Sequence, residues 1–357
     1  MTGTIRSDRR RPRATIGDGA REWRVAPALF PLLSLVAGVV VLTGILLIAG
    51  YDPVAGLEAL WRGSFGSGHA FFSATLMRAT PLLLTGLAFA FGARAGALNI
   101  GMEGQFAVGT MAATWVGVAS GSLPPALALP LTLAAGVAAG IAWMIVPVTL
   151  RVRFGVTEVI TTLLLNFVAE AAVSWAVTGP LQESGGGYPQ SDPIAAAARL
   201  VRIVPTERIH YGLLLALVVA LVMALLFRRT RAGFILDASG AGPAAARIVG
   251  GVNTTRVVAL ALMVSGGLAG LAGAVEVSGV THVLYQRISP GYGFTAIAVA
   301  LLGRLHPLAI IITAVLFGAL EAGAGAMQRE AGIPAVTVQV VQAAVIIVMV
   351  LSLRRRA

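Results

Sequence analysis

The sequence contains no lysine: all 26 basic side chains among its 357 residues are arginine. This excludes a P-loop lysine, a Schiff-base lysine and a kinase-type ATP lysine from the chain's own chemistry. Cysteine is absent as well, which removes disulfides, thiolate catalysis and zinc–thiolate centres. The four histidines, His69, His210, His282 and His306, show no HExxH or other ligand spacing, so neither a metal nor another cofactor is expected. Charge is scarce too. Only 11% of residues are charged, against roughly 25% in a soluble domain. What remains is apolar, at 57% of residues and a mean hydropathy of +0.87.

Long apolar runs organise this material into membrane spans. They lie near Leu29–Ala49, Phe72–Phe91, Gly104–Val118, Pro125–Leu150, Val156–Thr178, Gly212–Phe227, Val257–Val277, Tyr292–Leu302, Leu308–Met327 and Val336–Leu353. Tyr292–Leu302 is too short to cross alone and reads as a discontinuous or flank-extended helix. The expected fold is therefore all-α and polytopic, with about ten transmembrane helices. Residues 1–26 form a basic tail, and 27–355 form one transmembrane domain. Within it, 179–210 is a long external loop, a cap or short amphipathic helix, and 228–255 a cytoplasmic one.

The arginines orient this topology by the positive-inside rule. With both termini cytoplasmic, seven arginines fall outside: Arg62, Arg78, Arg199, Arg202, Arg208, Arg287 and Arg329. The other nineteen are inside, concentrated in the tail, the 228–255 loop and Arg354–Arg356. The net charge of +11 is thus an orientation device, and no nucleic-acid partner is expected. The Arg-rich start also invites a signal-peptide reading. Its apolar run is too long for that, which favours a retained first helix.

Polar residues inside apolar spans are costly and mark functional positions by default. The first cluster runs from Asn99 through Gly101, Glu103 and Gly104 to Gln105, where two glycines let the backbone break. Its alternative is a cytoplasmic turn with Glu103 at a helix N-terminus. The second cluster is a stripe on span five: Glu158, Thr162, Asn166 and Glu170, four residues apart and hence on one helix face. Asn166 is deep enough to meet a neutral polar solute, or to bond a neighbouring helix. A third segment, Gly266 to Gly273, is rich in glycine and read as helix packing ahead of ligand contact; Glu276 after it, near the outer end, would line an entrance or be solvated. The last cluster is Glu321, Gln339 and Gln342, read as intersubunit or interhelical hydrogen bonding. In the 228–255 loop, Pro243 starts a short helix that Ala244–Arg247 continue.

Four ordered segments, ATPLLLTGLAFAFGARAGALNIGMEGQ, FGVTEVITTLLLNFVAE, SGGLAGLAGAVEVSG and GYGFTAIAVALLGRLHPLAI, resemble bacterial ABC-importer permeases. The class is that of simple-sugar and nucleoside import, related to ribose-type and branched-chain amino acid permeases. The resemblance spans roughly Gly50 to Leu353 and looks closest to the nucleoside branch. It implies separate cytoplasmic ATPase subunits, a second permease, identical or homologous, and an external solute-binding lipoprotein. It also implies a location in the bacterial inner membrane, in contact with lipid, and no enzymatic activity in this chain. The Gly240–Gly250 segment would be the coupling helix that docks on an ATPase, through Gly240, Pro243, Ala245, Ala246, Arg247 and Gly250. Here Gly242 replaces the usual asparagine and Gly251 the usual apolar residue.

The missing lysines agree, because a chain without a P-loop lysine must take an ATP motor from another polypeptide. Spans two to five and seven to ten begin on opposite sides and would form two inverted repeats. Asn99, Glu103, Gln105 and Asn166 are the expected substrate-path residues. Nucleosides are the expected solute, with simple sugars second. Rivals from other classes are an ion-coupled secondary transporter using Glu103 or Glu170, and a passive channel.

Overall fold

A computed structural model describes residues 29–340 and 342–343. The expectations for the basic tail, for Arg354–Arg356 and for most of the tenth span lie outside the described residues. Among the described residues the α-helices with both ends defined are α1 (Leu29–Ile48), α2 (Pro53–Ser64), α3 (Leu76–Arg94), α4 (Met102–Ala119), α5 (Pro125–Phe154), α6 (Glu158–Val177), α7 (Gly212–Arg229), α8 (Arg231–Ala241), α9 (Pro243–Ile248), α10 (Thr254–Glu276), α11 (Tyr292–Leu302) and α12 (Pro307–Ala331). A further helix starts at Val336.

Among the described residues, six helical segments are long and apolar enough to cross a membrane: Ala70–Arg94, Pro125–Phe154, Glu158–Val177, Gly212–Arg229, Thr254–Thr281 and Pro307–Ala331. Two of them extend an α-helix through a π turn, Ala70–Thr75 before α3 and Val277–Thr281 after α10. The fold is polytopic and all-helical. Its outward faces are apolar, with Phe167 on α6, Leu221 on α7 and Ile312 on α12 all exposed. A soluble protein would bury such side chains; here they suit lipid.

The ends of these six segments lie within a few residues of the apolar runs in the sequence, and α11 occupies the expected Tyr292–Leu302. Two helices lie where none was expected, α2 and α8. α2 starts because Asp52 accepts the Val54 N–H at 2.8 Å and Pro53 fits its first position. It is too short to span and packs along α12 through Gly63 and Gly323.

α3 is the central helix. Its run Leu82, Leu83, Leu84, Leu87 and Ala88 is buried on every side, the pattern of a helix wrapped by others. It packs against α10, α11 and α12, while α10 also packs against α4 and α5. The α5–α10 seam depends on glycine: a Cβ at Gly270 would run into the Gly136 carbonyl, and one at Gly266 would lie 2.6 Å from the Gly140 oxygen. Backbones this close exclude any side chain at the crossing. The glycine-rich 266–273 segment is that crossing.

Residues 178–211 cross the ends of the helices at one pole. Ser191, Ile194 and Leu200 donate backbone N–H groups to the Leu284, His282 and Ser278 carbonyls. Their regular structure is one 3-10 turn, Ala196–Ala198, with isolated bridges, and no amphipathic α-helix. At the opposite pole lie Arg94, α8 and α9.

Candidate functional site

The chain between α3 and α4, residues 95–101, is not helical, and Ala95, Ala97, Asn99 and Gly101 are buried, so its backbone needs partners. The polar stripe on α6 supplies them. Glu158 Oε1 accepts the Leu98 N–H at 3.2 Å, and Thr162 Oγ1 accepts that of Ile100 at 3.3 Å. Asn166 Oδ1 accepts the Gly104 N–H at 2.8 Å, while its Nδ2 donates to the Ile100 carbonyl at 3.0 Å. Residues four apart climb about 6 Å along a helix, which matches the extended connector beside it. Arg151 forms an ion pair with Glu158 at the lower end of this rail.

Asn99 and Gln105 are buried on the other side of the connector. Asn99 Nδ2 donates to Gln105 Oε1 at 2.8 Å and to Ser265 Oγ on α10 at 2.9 Å. Asn99 Oδ1 accepts from the Gly101 N–H at 3.0 Å and from Gln105 Nε2 at 3.1 Å. Both amides are therefore engaged within the protein, tying the connector to α4 and α10.

Glu103 points the other way. Its Oε2 accepts the Gly293 N–H at 2.7 Å in the first turn of α11, where helix N–H groups lack intrahelical partners and favour an anion. Gly293 is required there, because a Cβ would meet the Glu103 Cα at 2.6 Å.

Two adjoining cavities open beside this contact. The smaller, about 190 Å³, is lined by Glu103, Asn166, Glu170 and Phe294. The larger, about 990 Å³, has polar lining that includes Arg78, Arg208, Glu276, Glu321, Gln339 and Gln342. Tyr285, Tyr292 and Phe294 add aromatic surface. Arg287, Ile288 and Phe294 belong to both walls. The structure thus brings Glu103 and Asn166 to one chamber, and keeps Asn99 and Gln105 away from both.

Glu276, Glu321, Gln339 and Gln342 come from three helices, and convergence across such separations leaves no spacing in the sequence. Their only signal was polarity within apolar runs. Gln342 is buried, and its Nε2 finds no hydrogen-bond partner among the described residues, a donor left for whatever fills the cavity.

At the loop pole, His210 is buried, and its Nδ1 accepts the Gly212 N–H at 3.1 Å. Burial first, and His282 second, lower its pKa from 6.5 to about 4, so the imidazole is neutral. At the opposite pole, the Gly240–Gly250 segment is divided between two helices. Gly242 separates α8 from α9, and Pro243 opens α9. Gly240 lies against the Arg94 carbonyl and Gly96 backbone, where no Cβ fits. Ala246 is buried; Ile248 and Val249 are 85% and 87% exposed.

A lipid-facing helical body enclosing a polar chamber is the architecture of a transport permease, a multi-pass integral protein of the bacterial inner membrane. The chain belongs to the family described as branched-chain amino acid transport system / permease component, whose model matches residues 71–350. It is 35% identical over 328 residues to the guanosine ABC transporter permease protein NupP of Bacillus subtilis, covering 91% of this chain and 93% of that one. The glucose ABC transporter permease protein TsgB13 of Haloferax volcanii is 35% identical, covering 90% of this chain and 87% of its own. The nucleoside ABC transporter permease protein NupB of Lactococcus lactis is 33% identical, with 89% of each chain covered.

Proposed function

We propose that this chain is the membrane-spanning subunit of an ATP-driven importer of nucleosides. The observation that carries the solute class is the larger cavity, whose lining combines carboxylates, amides and arginines with aromatic rings. A nucleoside offers a flat heteroaromatic base for Tyr285, Tyr292 or Phe294, and ring N–H and ribose hydroxyl groups for Glu276, Glu321 and the glutamine amides. The relatives named for guanosine and nucleosides support the same reading. The relative named for glucose supports simple sugars as the second reading.

In this account Glu103 and Asn166 line the path, and Asn99 and Gln105 hold its connector in shape. Ten spans place both termini in the cytoplasm, with α3–α6 and the elements from α10 onward as inverted repeats. The paired order supports this inversion: each block runs from a long helix through a non-helical connector into a second helix, α3 to α4 and α10 to α11, and the two blocks meet at Glu103 and Gly293. ATP is hydrolysed by separate subunits that dock at Gly240, Pro243, Ala245, Ala246, Arg247 and Gly250. The exposed Ile248 and Val249 suit that docking. A second permease and an external binding lipoprotein complete the assembly. Movement at the docking loop tilts the blocks around the chamber and opens it alternately to each side.

Competition tests the solute class. Uptake of labelled guanosine by the assembled transporter should be blocked by excess adenosine or uridine and not by glucose. Inhibition by glucose alone would move the assignment to sugars.

A further inference from the structure

The end of α3 carries a contact that the transport path does not use. Arg94 is the last residue of α3, and its guanidinium grips Asp237 on α8 with both prongs, Nε to Oδ1 at 2.7 Å and Nη2 to Oδ2 at 2.5 Å. The same group lies 4.3 Å from the ring centroid of Phe227, in the last turn of α7. Its Nη1 donates to the Leu305 carbonyl at 3.3 Å, in the turn between α11 and α12. That turn is itself unusual, because Arg304 and Leu305 both have positive φ, 52° and 55°. One side chain therefore joins α3, α7, α8 and the α11–α12 turn.

Two features make this more than a surface ion pair. The Arg94 side chain is 23% exposed and its partner 38%, and a forked arginine–carboxylate contact fixes direction as well as distance. The backbone packing is also rigid: Gly240 on α8 sits directly on the Arg94 carbonyl and Gly96. Gly96, at φ 79°, begins the connector that carries Leu98, Asn99 and Ile100 to the α6 rail. The backbone contact resists only compression, so it is the forked pair that pulls Arg94 and the first residues of that connector along when α8 moves away.

We infer that the Arg94–Asp237 pair is the link through which motion of α8 and α9 reaches the α3–α4 connector, and through it the Glu103 chamber. It acts as a positioning pair and touches no solute. This rests on the reading that α9 is driven by an ATPase. Cutting the link should leave the permease folded and the motor running while the connector stops responding.

The cysteine-free chain makes the test direct. Spin labels at Leu98→Cys on the connector and Leu221→Cys on the lipid face of α7 report their separation in the assembled transporter, in lipid nanodiscs. Trapping the ATPase with ATP and vanadate should shift that distance by about 2 Å or more in the otherwise unaltered chain. With Asp237→Asn added, the shift should fall to less than half, although ATP is still hydrolysed. The swap Arg94→Asp with Asp237→Arg should restore it. Should Asp237→Asn not assemble, Arg94→Lys, which keeps the charge and loses the fork, is read in the same way. No shift in the unaltered chain, or an undiminished shift in the variant, overturns the inference. Solute is absent throughout, so a failure to import guanosine would count against the nucleoside reading alone.

Discussion

The side-chain oxygen of Asn166 accepts the backbone N–H of Gly104 at 2.8 Å. Gly104 lies in the first turn of α4, where N–H groups have no partner within the helix. Asn166 therefore caps α4 from a neighbouring helix while also lining the small chamber.

Asn166→Leu should strip partners from both the Gly104 N–H and the Ile100 carbonyl. Each buried group left unpaired costs about 1–3 kcal/mol, so the variant should melt earlier in detergent and lose uptake. Asn166→Asp keeps the acceptor for Gly104 and should recover part of the stability without recovering transport. Thermal melting and uptake of the two variants, measured side by side, check this. Normal uptake by Asn166→Leu would make the residue a packing group only.

Glu103→Gln retains an acceptor for the Gly293 N–H, so the joint between the two blocks should hold. It weakens the bond to the α11 N-terminus, because a neutral acceptor holds an N–H less strongly than a carboxylate. Uptake should fall roughly tenfold or more, with a modest drop in melting; Glu103→Ala should lower both further. Equal uptake by Glu103→Gln and the unaltered chain would remove Glu103 from the path.

In the larger cavity, Glu321→Gln should lower uptake without loss of assembled protein, because no hydrogen bond of the framework ends on that carboxylate among the described residues. Uptake kinetics across a guanosine series check it. An unchanged apparent affinity and rate would place the solute elsewhere.

His210 gives a pH dependence with a definite sign. Its pKa is lowered from 6.5 to about 4 in the fold, so the unfolded chain takes up the proton first as the pH falls. The stability it contributes is complete above pH 6.5 and is lost progressively toward pH 4. The loss is about 3 kcal/mol at most. His210→Asn, which keeps an acceptor for the Gly212 N–H, should flatten the fall in melting temperature between pH 6.5 and 4. A parallel fall in both proteins would contradict this.

Much of the fold was legible because spans are written in long apolar runs, and α11 lies on the residues its run marked. α2 was not, since its start depends on Asp52 and Pro53 and its place on α12. The stripe Glu158, Thr162 and Asn166 was visible as one helix face, but its work, holding the Leu98–Gly104 backbone, belongs to tertiary structure. The larger cavity was the least legible part. Glu276, Glu321 and Gln342 stood out only as polar residues in apolar surroundings, and Arg78 read as a topology marker. The Arg94–Asp237 contact joins residues 143 positions apart, with no pattern between them.

The central claim is that transport through this chain is driven by ATP hydrolysed elsewhere. Its most direct test is uptake of labelled guanosine into vesicles containing the permease, with and without its ATPase subunits, in the presence of ATP or an uncoupler. The account predicts accumulation only with the ATPase and ATP, insensitive to the uncoupler. Accumulation that persists without the ATPase and collapses with the uncoupler would contradict it.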